Sequence, residues 1–467
     1  MPFGNLTYLV GLIVALLIYS AVGTVFRTLY LLLLSLGFLG YISPESLVIL
    51  LLVSSLSYAC YSGMRGQTNR SLWFFLGVAI NLTGLFFFRE FSIRESWSIS
   101  SYSVEYALIA VGISFYSLQN LGVLIKEKLQ PSAMTIPFTD FMLFSAFFPK
   151  IISGPLLRHE NFLPQLSPDR NIDWVPGIQR ILFGIVKKTV IADRLAYLVN
   201  HNFETVDPTG WNNLIVAHLF ALQLYFDFSG YTDIALGSAR LFGFKLTENF
   251  NFPLRATSIT EFWRRWHISL TSWLRDFVYT PVAFGLRGSV LGILLAILIT
   301  FALSGIWHGL ALTFIIYACT HAAYLMGEFL LRDFRMKIKV VVGKSVFNLL
   351  GWFLTVNLVS ISFLFFRSTS CIDALDRIGH VFSCSNFFPS NWKSGFIYKI
   401  AVGGDQQNIF NLSITLALTF TVLLAEKYVY RRLESNKIRV GLMVLFMVSI
   451  GLFGVFTDLD KFIYGQF

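Results

Sequence analysis

Long apolar runs that carry no charge are the feature of this sequence that most limits what it can fold into. The first run, Gly4–Val22, contains 19 residues without an Asp, Glu, Lys or Arg. A helix of that length can cross the hydrocarbon core of a bilayer. Because the run lacks the basic start and the small-residue cleavage site of a signal peptide, we interpret it as a retained first membrane helix.

The rest of the chain is similarly apolar. Of its 467 residues, 55% are apolar and only 13% are charged, about half the charged share of a soluble globular protein. Further spans are predicted at about residues 28–42, 46–61, 71–88, 104–123, 178–199, 212–226, 288–306, 310–330, 346–366, 408–425 and 440–456. We therefore predict an all-α integral membrane protein with about 11–12 transmembrane helices. Charges and prolines interrupt residues 137–290, where interfacial or re-entrant helices are expected.

The net charge of +10 has a simple explanation in a chain this apolar. Lys and Arg accumulate in the cytoplasmic loops of membrane proteins. Four basic loops are predicted, containing Arg65 and Arg70, Lys126 and Lys128, Arg332 to Lys344, and Lys427 to Arg439. With an outside N-terminus these loops face the cytoplasm, and residues 367–407 face outside. Nucleic acid is not an expected partner, since no basic run interleaved with aromatic residues lies on a soluble segment.

The four cysteines show neither a CxxC pair nor the Cys/His spacing of a zinc site, so no metal is expected. Two of them, Cys371 and Cys384, lie in the segment predicted to face outside. In an oxidising compartment they would either be bridged or remain two separate thiols, and both alternatives stay open.

Residues 258–280 are the most unusual polar stretch of the sequence. Ser258 and Glu261 have the spacing of a capping box, which predicts that a helix begins there. Aromatic and apolar residues then recur at helical spacing, with charged residues on the remaining surface. We interpret the stretch as an amphipathic, tryptophan-rich helix that either anchors the chain at the membrane interface or lines a polar cavity.

A second polar feature is His308, which lies in a long apolar stretch without charged residues. Thr300, Ser304 and His308 follow each other at intervals of four, so they share one helix face. Ionisable groups at membrane depth are costly and usually face a cavity or a partner, which makes His308 a candidate site residue; the alternative is a neutral histidine bonded to a neighbouring helix. Gly305 and Gly309 would allow close backbone approach or a helix break. Histidine suits general-base work because its pKa lies near neutrality.

Together these two segments resemble a known family. They are Glu261–Leu270 (EFWRRWHISL) and Ser304–Gly309 (SGIWHG), and their combination is similar to the membrane-bound O-acyltransferase superfamily, especially its alginate O-acetyltransferase branch. Further matches from about residue 80 onward are Asn81 to Leu85, Gly112 to Tyr116 with Gln119, Ser153 to Pro155 with Arg158, Lys187 to Leu195, Gln223 to Asp233, Glu248 to Pro253, Phe365 to Arg367 and Phe462 to Tyr464.

The resemblance implies helices around a central funnel that reaches the active site from the cytoplasm. It implies one domain, with N-terminal helices in about 1–125, a catalytic core in about 137–330 and C-terminal helices in about 346–467. His308 takes the position of the general base or acyl relay, and His267 that of its partner. Supporting or purely structural roles are expected for Trp307, Ser304, Arg264, Arg265, Trp266, Arg275, Asp276, Asp227 and Asp233.

The function implied by the resemblance is O-acetylation without a bound cofactor. The expected donor is a cytoplasmic thioester, acetyl-CoA, whose phosphates Lys187, Lys188 and Arg194 could bind unless they only anchor the topology. The expected acceptor is a serine of an extracytoplasmic esterase-like transferase, which then modifies a polysaccharide outside the cytoplasmic membrane of a bacterium. Three alternatives stay open: a D-alanyl transferase that uses a carrier-protein thioester, a transporter of polysaccharide precursor, and a scaffold.

Overall fold

The computed structural model describes residues 6–66, 69–93, 111–132, 134–167, 172, 174–205, 209–383, 406–433 and 440–455. In these residues the regular structure is helical and no strand occurs, which confirms the all-α prediction. Cys384 and the segment Phe462 to Tyr464 lie outside the described residues, so both alternatives for Cys371 and Cys384, a bridge or two separate thiols, stay open.

Twenty α-helices follow one another in the described ranges. The first ten are α1 Leu6–Ala21, α2 Arg27–Ile42, α3 Pro44–Arg65, α4 Arg70–Ile93, α5 Ile113–Leu129, α6 Phe138–Ala146, α7 His159–Phe162, α8 Trp174–Ile185, α9 Asp193–Thr205 and α10 Gly210–Leu241. The second ten are α11 Ile259–Arg265, α12 Ile268–Leu274, α13 Thr280–Gly285, α14 Val290–His308, α15 Leu312–Leu330, α16 Arg332–Val342, α17 Lys344–Arg367, α18 Cys371–Phe382, α19 Gln406–Leu433 and α20 Val440–Phe453.

Six helical segments of the described ranges are long and apolar enough to cross a membrane. They are Thr24–Ile42, Pro44–Arg65, Gly210–Leu241, Val290–His308, Lys344–Arg367 and Leu412–Leu433. Helices α15 and α16 meet these criteria only as a pair, and they are bent by 67° where they join. Shorter apolar helices occur at Leu6–Ala21, Arg70–Phe86 and Val440–Phe453. The chain is thus a multi-pass membrane protein, and the count of eleven or twelve crossings stays a prediction.

Two compact units make up the chain. The first unit contains Met1–Ile181 and Tyr231–Thr247, and the second contains Leu182–Gly230 and Glu248–Phe467. The boundary falls within α10, whose first part belongs to the second unit. The candidate residues predicted from the sequence lie in the second unit, with Asp233 as the exception. The single domain with three segments stays a prediction.

In the described residues of the first unit, the buried basic side chains of Arg180 and Lys150 are held by oxygen atoms. The guanidinium of Arg180 binds the carboxylate of Asp233 at 2.9 Å and 3.0 Å, and both side chains are almost completely buried. This pair explains Asp233 as a structural residue, which is one of the two roles expected for it. The ammonium of Lys150 donates to the side-chain carbonyl of Gln119 and to the backbone carbonyl of Ser145. Such contacts satisfy charges that would be costly to bury alone.

In the second unit, α14 and α15 form an antiparallel hairpin. Their close approach depends on Gly305, because a Cβ atom there would lie 2.8 Å from the carbonyl oxygen of Phe314 and 2.9 Å from Cβ of Ala318. The close approach that the sequence predicts at Gly305 is therefore confirmed. The chain that follows His308 therefore runs back along α14 as helix α15.

Candidate active site

Residues 258–280 are not one helix, so the prediction of a continuous amphipathic helix is wrong. The predicted start is confirmed, since the hydroxyl of Ser258 accepts a hydrogen bond from the backbone N–H of Glu261 at 3.0 Å. The helix ends at Arg265, and a new helix begins at Ile268. Asn249 supports this break, because its backbone carbonyl accepts from the N–H of Ile268 at 2.9 Å. This hydrogen bond to a residue outside the helix thus replaces the hydrogen bond that the N–H of Ile268 would have made within a continuous helix.

His267 stands at this break in a left-handed backbone conformation, with φ 43° and ψ 52°. Residues other than glycine, asparagine and aspartate seldom adopt this conformation, and such strain often occurs at functional sites. The imidazole is buried and contacts the ring of Phe228 at a centroid distance of 4.8 Å. Burial lowers the pKa of His267 to about 3, so its imidazole is neutral at physiological pH.

His308 is the last residue of α14, and Gly309 ends the helix with a φ of 153°. Thr300, Ser304 and His308 are all buried on one face of α14, which confirms the predicted face. Two phenylalanines from other helices enclose the imidazole of His308. The ring of Phe366 lies 5.4 Å away and that of Phe314 lies 6.3 Å away, measured between centroids.

Trp307 connects the two candidate histidines. Its ring lies 4.8 Å from that of His308 and 6.0 Å from that of His267, measured between centroids. The fold therefore brings together residues that are 41 positions apart in the sequence. Because Trp307 packs against both imidazoles, it fixes the position of one relative to the other.

A cavity of about 670 Å³ opens beside this cluster. Its wall includes Ile293, Ile297, Thr300 and Ser304 of α14, so it follows that helix from residue 293 to residue 304, an axial rise of about 16 Å. Four arginines also belong to the lining, namely Arg264, Arg275, Arg332 and Arg335. The lining thus combines four arginines with apolar side chains of the α14–α15 hairpin, and on α14 it extends to Ser304. We call the part of the lining that contains the arginines the cationic opening. His308 lies one helical turn beyond Ser304, about 6 Å further along the axis.

Glu328 of α15 holds the beginning of α11 in place. Its carboxylate accepts from the backbone N–H groups of Ile259 and Thr260 at 2.9 Å and 3.0 Å. The same carboxylate binds the guanidinium of Arg335 at 3.0 Å. A negative charge is favourable at a helix N-terminus, where unpaired N–H groups point outward. One carboxylate therefore joins the helix that leads to His267 with the cationic opening of the cavity.

The other residues of the 258–280 stretch have different surroundings. The guanidinium of Arg265 binds the Glu261 carboxylate at 2.6 Å. Trp266 is buried among aromatic side chains and stacks on Phe262 at a centroid distance of 5.5 Å. Arg275 pairs with Asp276 at 2.9 Å on the exposed surface. Three of the predicted supporting residues line the cavity, namely Arg264, Arg275 and Ser304.

The three cations predicted to bind donor phosphates make internal contacts. The Lys187 ammonium binds the Glu426 carboxylate at 2.6 Å, with both side chains fully buried. The Lys188 ammonium lies 2.5 Å from a carboxylate oxygen of Asp193 and 2.8 Å from one of Asp227. Nε of Arg194 donates to the carbonyl of Phe453. The two lysines lie on a π-helical turn, Val186–Ala192, inside the predicted span 178–199. Phosphate binding by these cations stays a prediction.

Sequence reasoning missed Glu328 and the two phenylalanines around His308. Glu328 did leave a signal, because it is the first charged residue after Arg287. An acidic residue that ends so long an apolar stretch predicts a specific partner. Phe366 lies within the segment Phe365 to Arg367 that resembles the family, although that resemblance gave it no role. Phe314 left no signal, since the chain contains 48 phenylalanines and nothing in its spacing distinguishes it.

Comparison with known proteins gives a consistent result. The family model for MBOAT, membrane-bound O-acyltransferase, matches residues 22–367. The "Probable alginate O-acetylase AlgI" of Pseudomonas aeruginosa is 34% identical over 365 residues, which cover 75% of this chain and 69% of that protein. The "Peptidoglycan O-acetyltransferase" of Helicobacter pylori is 30% identical, with 75% and 72% covered. The "Teichoic acid D-alanyltransferase" of Bacillus subtilis is 29% identical, with 55% and 68% covered. The chain therefore belongs to the membrane-bound O-acyltransferase family and is an O-acyltransferase.

Proposed function

We propose that this enzyme transfers an acetyl group from acetyl-CoA, entering at the cationic opening, to a hydroxyl group near His308. The observation that carries the proposal is the cavity, which leads from four arginines to Ser304, one turn from His308. The opening includes Arg332 and Arg335 of α16, a basic segment that the sequence predicts to face the cytoplasm. The opposite end of α14 would then face outside, so the acetyl group would cross most of the membrane within the protein.

The two ends of the cavity suit the two ends of such a donor. Arginine forms charge-assisted hydrogen bonds with phosphate groups, and the exposed guanidinium groups of Arg264 and Arg275 are accessible for this. Apolar walls provided by Phe301, Leu325 and Phe329 exclude water from the arm that carries the thioester. A dry site strengthens the electrostatic interactions that stabilise an oxyanion.

In the proposed reaction, the imidazole of His308 takes the proton of the attacking hydroxyl group. At the same time, the hydroxyl oxygen bonds to the carbonyl carbon of the thioester. The tetrahedral intermediate then collapses, and the bond between carbon and sulfur breaks. The imidazolium returns the proton to the departing thiolate, which leaves an ester and the free thiol of CoA. Neutral His267 and Trp307 hold His308 in place for both proton transfers.

The acceptor is proposed from the relatives. The P. aeruginosa and H. pylori relatives are named for O-acetylation of alginate and peptidoglycan. We propose a polysaccharide as the final acceptor, reached through the serine of an extracytoplasmic esterase-like transferase. The cytoplasmic membrane of a bacterium is the proposed location, since it separates a CoA-containing compartment from a polymer outside.

The experiment that tests this function measures the transfer of labelled acetyl from acetyl-CoA in membranes that contain the full chain. We expect release of the free CoA thiol and label in an acceptor outside the membrane. Labelling from a carrier-bound D-alanyl thioester instead would support the second kind of transferase. Movement of polysaccharide precursor without any thioester cleavage would support a transporter and contradict the proposal.

Removing one charge at the opening should weaken donor binding more than catalysis. For Arg264→Gln we expect the KM for acetyl-CoA to rise about tenfold with kcat nearly unchanged, because the lost phosphate contact is the same in the ground state and the transition state. Initial rates over a range of acetyl-CoA concentrations measure both constants. Arg431→Gln is the control, since Arg431 is also exposed but does not line this cavity. A tenfold loss in kcat at constant KM would contradict a binding role for Arg264.

The left-handed backbone conformation at His267 allows the role of its side chain to be tested separately from folding. Glycine adopts the left-handed conformation without a steric penalty, so His267→Gly should fold and insert normally. We expect it to lose acetyl transfer about a hundredfold, because Trp307 loses a packing neighbour and a small displacement of the adjacent His308 is costly for catalysis. Size-exclusion chromatography in detergent measures folding beside the transfer assay. Full activity of the glycine variant would show that His267 serves only the turn.

A further inference from the structure

We infer that Phe366 and Phe314 set the length of the acyl group that this enzyme accepts, and that they restrict it to acetyl. The inference rests on the proposed function, since it concerns the acyl end of the same donor. It assigns a specificity role to two side chains that lie on α17 and α15, away from the motifs that contain the two histidines.

Aromatic rings pack against the imidazole of His308. The Phe366 ring meets the imidazole edge to face at 5.4 Å and meets the Phe314 ring at 5.0 Å, measured between centroids. Tyr317 supports Phe366 from behind, with a centroid distance of 5.4 Å. The ring of Trp307 also contacts the imidazole, at a centroid distance of 4.8 Å. The packed ring of Phe366 therefore cannot move without disturbing its neighbours.

The position of the cavity makes this pocket the place where the acyl group ends. The cavity lining reaches Ser304, and the reacting carbonyl must pass one helical turn further to meet His308. The alkyl part of the acyl group, which is bonded to the carbonyl carbon, then points toward the rings around His308. A methyl group is the smallest alkyl substituent, so an acetyl group needs the least room between the imidazole and these rings. Each further methylene must displace a ring that is already packed, and overpacking of this kind is unfavourable.

The size of the effect follows from the general behaviour of apolar pockets. One methylene in such a pocket changes specificity by about 10- to 200-fold. We expect the wild-type enzyme to prefer acetyl-CoA to propionyl-CoA by at least about tenfold in kcat/KM. Phe366→Leu and Phe314→Ala remove volume beside His308, and each should shift the preference toward propionyl-CoA by about tenfold.

The test measures release of the CoA thiol from acetyl-CoA, propionyl-CoA and butyryl-CoA by the full chain in membranes. Phe365→Leu serves as the matched control, because Phe365 is a buried phenylalanine of the same helix and is not among the rings around His308. The ratio of kcat/KM values for two donors is the decisive quantity. A general loss of stability lowers activity with every donor and leaves that ratio unchanged.

Three results are distinguishable. A ratio that shifts toward propionyl-CoA in both variants, and not in Phe365→Leu, supports the inference. Unchanged ratios in variants that still transfer acetyl overturn it and leave the proposed function standing. Absence of acetyl transfer by the wild type contradicts the proposed function, and the inference is then wrong as well.

Discussion

Replacing His308 with alanine is expected to lower acetyl transfer by about 10²–10⁴-fold, the usual contribution of a general base. The chain should still fold, because His308 is one side chain at the end of α14 and the packing at Gly305 is untouched. The rate of CoA release with labelled acetyl-CoA measures the effect, with the amount of enzyme in the membrane determined in parallel.

A second histidine provides the control for this experiment. His218 also lies on a long apolar helix, where Nδ1 of its ring contacts the backbone carbonyl of Leu214 at 2.7 Å. It does not line the cavity beside α14, so His218→Ala should keep nearly full activity. Transfer by His308→Ala at the wild-type rate would falsify the assignment of His308 as the base.

Glu426→Ala is expected to cause the largest loss of stability among the changes considered. The carboxylate of Glu426 binds the Lys187 ammonium at 2.6 Å and accepts hydrogen bonds from the Tyr225 hydroxyl at 2.7 Å and 2.8 Å. Removing one partner leaves a fully buried charge without its counterion, which costs about 3–5 kcal/mol. Thermal unfolding of the detergent-solubilised protein measures the loss.

Replacing both partners tests the reason for this loss. In the double variant Lys187→Met, Glu426→Leu no unpaired charge remains, so most of the stability should return. Asp276→Ala is the exposed comparison, since its pair with Arg275 lies on the surface and such pairs contribute about 0–1 kcal/mol. If the double variant were as unstable as Glu426→Ala, uncompensated charge could not be the cause, and packing would be.

The helical architecture could be predicted from the sequence because the apolar runs are long and uninterrupted. The runs at 28–42, 46–61 and 346–366 each fall within one helix. The predicted span 178–199 instead contains two helices and a π-helical turn. The adjacent lysines there bind Asp193 of the same span, and also Asp227 and Glu426, which lie elsewhere in the sequence. Hydropathy measures only the preference for lipid, so it does not register such pairs.

The candidate site was predictable where a polar residue interrupts an apolar pattern, as His308 does. The break at His267 was not predictable from helical periodicity, because aromatic residues continue at the same spacing on both sides of it. Its cause is Asn249, which binds the backbone of Ile268. The rings around His308 are likewise a product of tertiary packing. Local patterns identify which residues are unusual, and contacts distant in sequence decide how they are arranged.

The contact made by Glu328 has a consequence for the order in which the protein is assembled. The N–H groups at the start of α11 receive their acceptor from a residue 69 positions later in the chain. During synthesis, α11 therefore emerges from the ribosome before its partner has been made. It stays incompletely bonded until α15 has entered the membrane. The start of the helix that leads to His267 should accordingly reach its final form only after Glu328 has been added to the chain.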